Sequence, residues 1–185
     1  MIAYKGFNED LTCTLGKGKF KYEIGKTYEE EKAQCANAGF HCVEEPLEVL
    51  SWYPNGRYCM VDAGGDIHED GSDKISCTKM KILKEVTLEQ LAALECEWIM
   101  QHPDRKECSH IRKNTGTAEE NGLVIVRGKN PKAAGEKGAT IFLLKEGKGT
   151  KEIVEAGAYK IDGKELLPDV FYKADGRRAR CTKAS

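Results

Sequence analysis

Four zinc-capable side chains, Cys96, His102, Cys108 and His110, fall within fifteen residues. Thiolates and imidazoles are the ligands of tetrahedral zinc, but C-x5-H-x5-C-x-H is not a spacing that such sites use. Cys96 also lies inside a helical stretch, where a small buried residue is expected. The run Asp66-Ile67-His68-Glu69-Asp70-Gly71-Ser72-Asp73 opens like a calcium loop, with carboxylates at its first and fifth positions and glycine at the sixth. It then places His68 third, Lys74 ninth and Cys77 twelfth, where a bidentate carboxylate is needed. No metal and no cofactor is expected at either place.

Gly16-Lys17-Gly18-Lys19 and Gly147-Lys148-Gly149-Thr150 offer backbone N–H groups to a phosphate, but neither fits G-x-x-x-x-G-K-[ST] between a strand and a helix. His41 beside Cys42 pairs a base with a thiol, yet adjacent strand residues point to opposite faces, which disfavours nucleophilic catalysis. No catalytic set is therefore assigned. The residues singled out are read as binding groups: Lys5 and Phe7, Phe40 and His41, Tyr53, and the basic residues Arg177, Arg178 and Arg180.

The elements that must position them follow from periodicity. Met1–Tyr4, Phe20–Ile24 and Tyr58–Ala63 read as strands. A strand from Lys74 to about Leu83 follows the Gly- and Asp-rich loop 64–73, so a hairpin with 58–63 is expected. Thr27 and Glu30 have capping-box spacing, which predicts a helix over 28–37 stopped by Gly39. Pro46 suits the first turn of a second helix that carries Leu47, Leu50 and Trp52 or Tyr53 inward. Thr87 and Gln90 repeat the capping-box spacing before Leu88, Leu91, Leu94 and Trp98, and His102-Pro103 ends that helix. Farther on, 123–126, 139–144 and 153–161 read as strands, with Asp162-Gly163 as a hairpin turn and Pro168 at an edge or in a loop. The expected fold class is α+β: an N-terminal mixed sheet with short helices and one long helix, then an all-β hairpin or β-roll part. The domains expected are 1–102 and 122–185, with 103–121 as a linker.

Hydrophobic residues make up 40% of the chain and charged residues 32%, which is ordinary for a globular protein and too apolar for disorder. No apolar run is long enough to span a membrane, and the first residues lead straight into a strand, so cytoplasm is the expected location. The eight cysteines are then read as free thiols in a reducing compartment. The net charge of −1 hides an asymmetry: residues 1–100 carry 11 Lys and Arg against 18 Asp and Glu, and residues 101–185 carry 18 against 12.

Ala3-Tyr4-Lys5-Gly6-Phe7-Asn8, Leu11-Thr12-Cys13, Phe20-x-Tyr22-Glu23-x-Gly25-Lys26-x-Tyr28, Gly39-Phe40-His41-Cys42, Pro46-Leu47 and Trp52-Tyr53 together resemble an uncharacterised domain common in phage and prophage proteins. The likeness covers residues 1 to about 91. That family usually reads Gly-Phe-His-Ala-Cys, whereas here Cys42 directly follows His41. The second half resembles the tails of such proteins, through Asn114-Thr115-Gly116, Gly122–Gly128, Tyr159-Lys160-Ile161-Asp162-Gly163 and Pro168-Asp169-x-Phe171-Tyr172. This implies one or two rungs of a β-helix or roll, and no activity.

The resemblance points to a phage or mobile-element protein that binds a host factor, such as an anti-CRISPR inhibitor of a defence nuclease like Cas9. A second reading is an ADP-ribosyltransferase-like protein that holds NAD or another nucleotide near His41 and Tyr53. A third is nucleic-acid binding by the basic half, through Arg177, Arg178 and Arg180.

Overall fold

The structure is a computed structural model that describes residues 1–15, 18–104 and 108–179. The chain divides into two compact units, Met1–Glu95 and Cys96–Ser185. Strands take 48% of the described residues and helices 12%. The protein is thus mainly β, and this overturns the expected α+β class with one long helix.

Unit 1 contains β1 (Ile2–Phe7), β2 (Thr12–Cys13), β3 (Phe20–Lys21), β4 (Thr27–Glu29) and β5 (Phe40–Val43). A 3-10 turn at Pro46–Glu48 leads into the four-residue α1 (Val49–Trp52), followed by β6 (Arg57–Glu69) and β7 (Lys74–Val86). The sheet order is β4-β7-β5-β1-β6, and β6 also pairs with β7, so β7, β5, β1 and β6 close into a ring. Inside it, Phe7, Cys59, Val61, Cys77, Met80 and Ile82 are fully buried. Phe20, Tyr22, Tyr28 and Phe40 pack edge to face over that core, with centroids 4.7–6.3 Å apart, a geometry that aromatic quadrupoles favour.

Two sequence expectations fail here for physical reasons. The segment 28–37 is not a helix: Tyr28 joins the aromatic cluster from β4, Ala36 takes a positive φ of 64°, and Gln34 bridges to Ala38. The run 64–69 is not a loop either. Gly65 has φ 70° at a register shift between Gly64 and Ile67, and this bulge carries β6 on through Glu69 before the turn into β7.

The helix after β7, α2 (Leu88–Gln101), is one of the expected elements. Thr87 Oγ1 accepts the Gln90 N–H (3.2 Å) and Gln90 Oε1 accepts the Thr87 N–H (2.9 Å), a reciprocal cap of two otherwise unpaired donors. At 14 residues, however, it does not make a helical layer, and no helix among the described residues is long and apolar enough to cross a membrane.

Beyond the end of α2, unit 2 contains β8 (Arg112–Ala118), β9 (Leu123–Gly135), β10 (Thr140–Glu146), β11 (Ile153–Lys160) and β12 (Tyr172–Lys173). The segment 103–121, expected as a linker, therefore holds a strand. β9 pairs with β8 and with β10 in parallel. Ala118 lies opposite Gly135 and Leu123 opposite Thr140, an offset of 17 residues in each case. The long β9 pairs with β10 through Leu123–Gly128 and with β8 at Val126–Arg127 and again, after a register shift, at Lys132–Gly135. The chain thus coils through successive rungs and does not fold back as hairpins between them. Asn121 (φ 56°) stacks under Gly138 (φ 84°), where a Cβ would come within 2.2 Å of the asparagine Oδ1. β10–β11 is a true antiparallel hairpin. Asp162-Gly163 does not form one: Asp162 Oδ1 accepts the N–H groups of Lys164, Glu165 and Leu166, which closes a local turn. Arg127 is buried, with Nε 2.8 Å from Glu146 Oε1 and Nη2 donating to Pro103 O and Lys151 O at 2.8 Å each.

Candidate functional site

At one end of unit 1 an open cleft of about 550 Å³ lies between two loops that ring closure brings together. One wall is the turn after β1. Asn8 O accepts the Leu11 N–H (3.0 Å), the Asn8 N–H donates to Thr12 O (2.9 Å), and Leu11 takes φ 58°. The turn lifts Glu9 and Asp10 to the rim, with Thr14 and Leu15 beyond. Asp10 accepts Lys19 Nζ (2.8 Å) and both the hydroxyl and the N–H of Thr12, which hold its carboxyl down to about 2. Glu9 makes no ion pair among the described residues. The neighbouring guanidinium of Arg57 donates to Glu9 O but is held by Glu85 in a two-pronged pair at 2.7 and 2.6 Å.

The opposite wall runs from Trp52 to Gly56. Pro46 sets the start of the 3-10 turn, because its missing N–H has no partner to lose there. Glu95, with no solvent exposure, accepts the Leu47 N–H through Oε2 (2.9 Å) and so fixes that turn. Burial, reinforced by Glu45, pushes the Glu95 carboxyl up to about 8, so at neutral pH it is mostly protonated. α1 then ends as the Tyr53 N–H donates to Val49 O (2.9 Å), and Tyr58 Oη donates to Tyr53 O (2.8 Å).

The floor depends on two glycines. A Cβ on Gly6 would come within 2.8 Å of the Tyr53 ring, and one on Gly56 within 2.2 Å of Phe7 O. Only hydrogen at these positions lets the loops close on β1. Tyr53 Oη is buried without a hydrogen-bond partner; its neighbour, the Cys13 thiol, donates to Gly6 O (3.7 Å) instead. Burial, then Cys13, pushes the phenol up to about 12. Trp52 stands 43% exposed, with Lys74 Nζ 4.5 Å from its ring centroid. Its indole therefore already accepts a cation on one face.

The cleft gathers Phe7 and Tyr53 from the residues singled out in the sequence. Lys5, Phe40 and His41 form a different group. Lys5 is buried, donates from Nζ to His41 O (2.6 Å), and lies 5.7 and 5.4 Å from the Phe7 and Tyr22 ring centroids. Phe40 is in the core, and half-buried His41 accepts the Ala36 N–H on Nε2 (3.0 Å). Burial, then the Lys5 and Lys74 charges, lower the His41 pKa. These groups secure the ring. Arg177 and Arg178 are exposed in unit 2, and Arg180 lies outside the described residues. His102 stacks on Trp98 at 4.3 Å, with Nδ1 2.9 Å from Trp98 O.

Sequence reasoning turned Trp52 or Tyr53 inward, of which Tyr53 is the more buried, and missed Glu9, Asp10 and Asn55. The signals were Asn8-Glu9-Asp10 and Pro54-Asn55-Gly56, two turn-forming runs that follow aromatic residues.

Residues 1–94 match a domain of unknown function, DUF7666. No curated protein and no solved structure matches the chain significantly.

Proposed function

The chain belongs to the DUF7666 family, a domain of unknown function, and from that premise we propose that it is a binding protein which takes a segment of a partner protein into the cleft of unit 1. The observation that carries the reading is the lining itself: exposed Trp52 and Pro54 and half-buried Tyr53 face the rim carboxylates Glu9 and Asp10. Aromatic surface beside Glu9, whose carboxylate has no ion pair among the described residues, with Asp10 already paired to Lys19, fits a partner side chain with an apolar stem and a cationic head, such as arginine or lysine. The groups best suited to chemistry, Lys5, Cys42 and Cys77, are spent in the core.

The likeness of residues 1 to about 91 to phage and prophage domains supports a host protein in the cytoplasm as the partner proposed here, with a defence nuclease as the leading case. The NAD reading joined Tyr53 with His41, and the binding reading is preferred because Tyr53 lines the cleft while His41 accepts the Ala36 N–H and its carbonyl accepts Lys5. To test the proposal, wild type, Trp52→Ala and Glu9→Lys are used to capture host protein, and phage are plated on a nuclease-defended strain expressing each. Wild type retains one host protein and raises plating at least tenfold, and both variants lose both effects. Equal capture and equal plating by all three proteins would contradict it.

A further inference from the structure

In unit 2 the second half of β9 lies between β8 and β12. Thr115 is opposite Lys132, and Lys132 is opposite Lys173. Residues directly opposite on neighbouring strands share a face, about 4.8 Å apart. One hydroxyl and two ammonium groups therefore form a single row across three strands. The alternate pair, Ala133 and Tyr172, turns the other way into the core and is 0% and 2% exposed. Lys132 Nζ lies 5.7 Å from the Phe171 ring centroid, which sets a half-buried ring beside the row. Thr115, Thr117 and Lys173 are exposed.

Like charges directly opposite in a sheet destabilise it. Lys132 and Lys173 make no ion pair among the described residues. The carboxylate near Lys173 is Asp175, which also accepts the Arg177 N–H (3.0 Å) and lies 3.7 Å from the Arg177 guanidinium. Arg178 follows, exposed. One acid thus stands against four cations, so Asp175 and the Phe171 ring offset the Lys–Lys repulsion only in part.

We infer that this face binds single-stranded nucleic acid. Lys132 and Lys173 take phosphates, the Thr115 hydroxyl donates to a phosphate oxygen, and Phe171 offers its ring to a base. A phosphodiester laid across the row relieves the repulsion. The ring selects an unpaired strand, because a base reaches an aromatic side chain only when it is free to unstack. The lysine row, and not the arginine run alone, is then the main contact.

The test is fluorescence anisotropy of a labelled oligothymidylate titrated with the full chain between 50 and 200 mM salt. Two phosphate contacts give a log–log slope of about −1.4, so affinity falls about sevenfold over that range. Lys132→Ala and Lys173→Ala should each remove about 0.7 from the slope. Phe171→Ala should weaken binding at least about fivefold at both salts and leave the slope unchanged. Lys173→Glu should abolish binding and yet raise Tm, since it places a carboxylate opposite Lys132; a folding defect would lower Tm. Absence of binding at micromolar protein in 50 mM salt, or binding indifferent to Lys173→Glu, overturns the inference. Duplex DNA and heparin bound as tightly as the oligonucleotide, with Phe171→Ala silent, would reduce the face to a general polyanion surface and overturn it equally.

Discussion

Unit 1 and unit 2 deal with polar residues in opposite ways. Unit 1 takes Lys5 of β1 and Glu95 of α2 inside and gives each a backbone partner, His41 O for the ammonium and the Leu47 N–H for the carboxyl. The rungs of unit 2 leave most of their lysines outside, and their buried charge is Arg127, paired with Glu146. A closed ring has an interior that its strands must fill, so polar groups end there or at a loop end such as the cleft. In unit 2 much of β9 and β10 is buried on both faces, and charge accumulates in rows where these strands meet the more exposed β8, β11 and β12. Exposed functional groups therefore collect in unit 1 where two loops meet, and in unit 2 on a strand face.

The largest effect expected of a single change is at Arg127. Arg127→Met leaves Glu146 and two carbonyls without their donor and should cost about 3–5 kcal/mol, read by urea unfolding. Arg127→Met combined with Glu146→Leu should recover much of that loss, because no unpaired charge is left behind. A double variant as unstable as the single one would show that the guanidinium's carbonyl contacts, and not its ion pair, hold this region.

Glu95 sharpens the same contrast in unit 1. Its folded pKa is raised above the unfolded value, so the folded state holds a proton that the unfolded chain releases. Stability is therefore full below about pH 4.5 and falls as pH rises toward about 8. Glu95→Gln keeps an acceptor for the Leu47 N–H and removes the titration. It should match wild type near pH 5 and exceed it at pH 8, by on the order of 3 kcal/mol at most. Parallel stability profiles for the two proteins would show that Glu95 is ionised in its buried position.

The smallest effect concerns an element that was fully legible in the sequence. Thr87→Ala removes one half of the α2 cap and should cost about 1 kcal/mol by thermal unfolding. That cap was readable because its donors and acceptors lie three residues apart. The same logic failed at Thr27 and Glu30, where Tyr28 gains more from Tyr22 and Phe40 than a local cap returns. The length of β6 was hidden because a bulge at Gly65 lets a glycine-rich run stay in a strand. The parallel rungs were hidden because their turns, 119–122 and 136–139, are as short as those of hairpins, and only long-range register separates the two. The cleft was hidden most deeply: Glu9 and Trp52 are far apart in sequence, and they face each other only after β1 pairs with β6.

Whether the cleft of unit 1 takes a basic segment is decided by amide NMR on the labelled chain, titrated with a short peptide that alternates arginine and leucine. Binding there produces saturable shifts concentrated at Phe7–Leu15 and Trp52–Gly56, lost in Trp52→Ala and absent with a glutamate–leucine peptide. No shifts at millimolar peptide, or equal shifts with the acidic peptide, would contradict it.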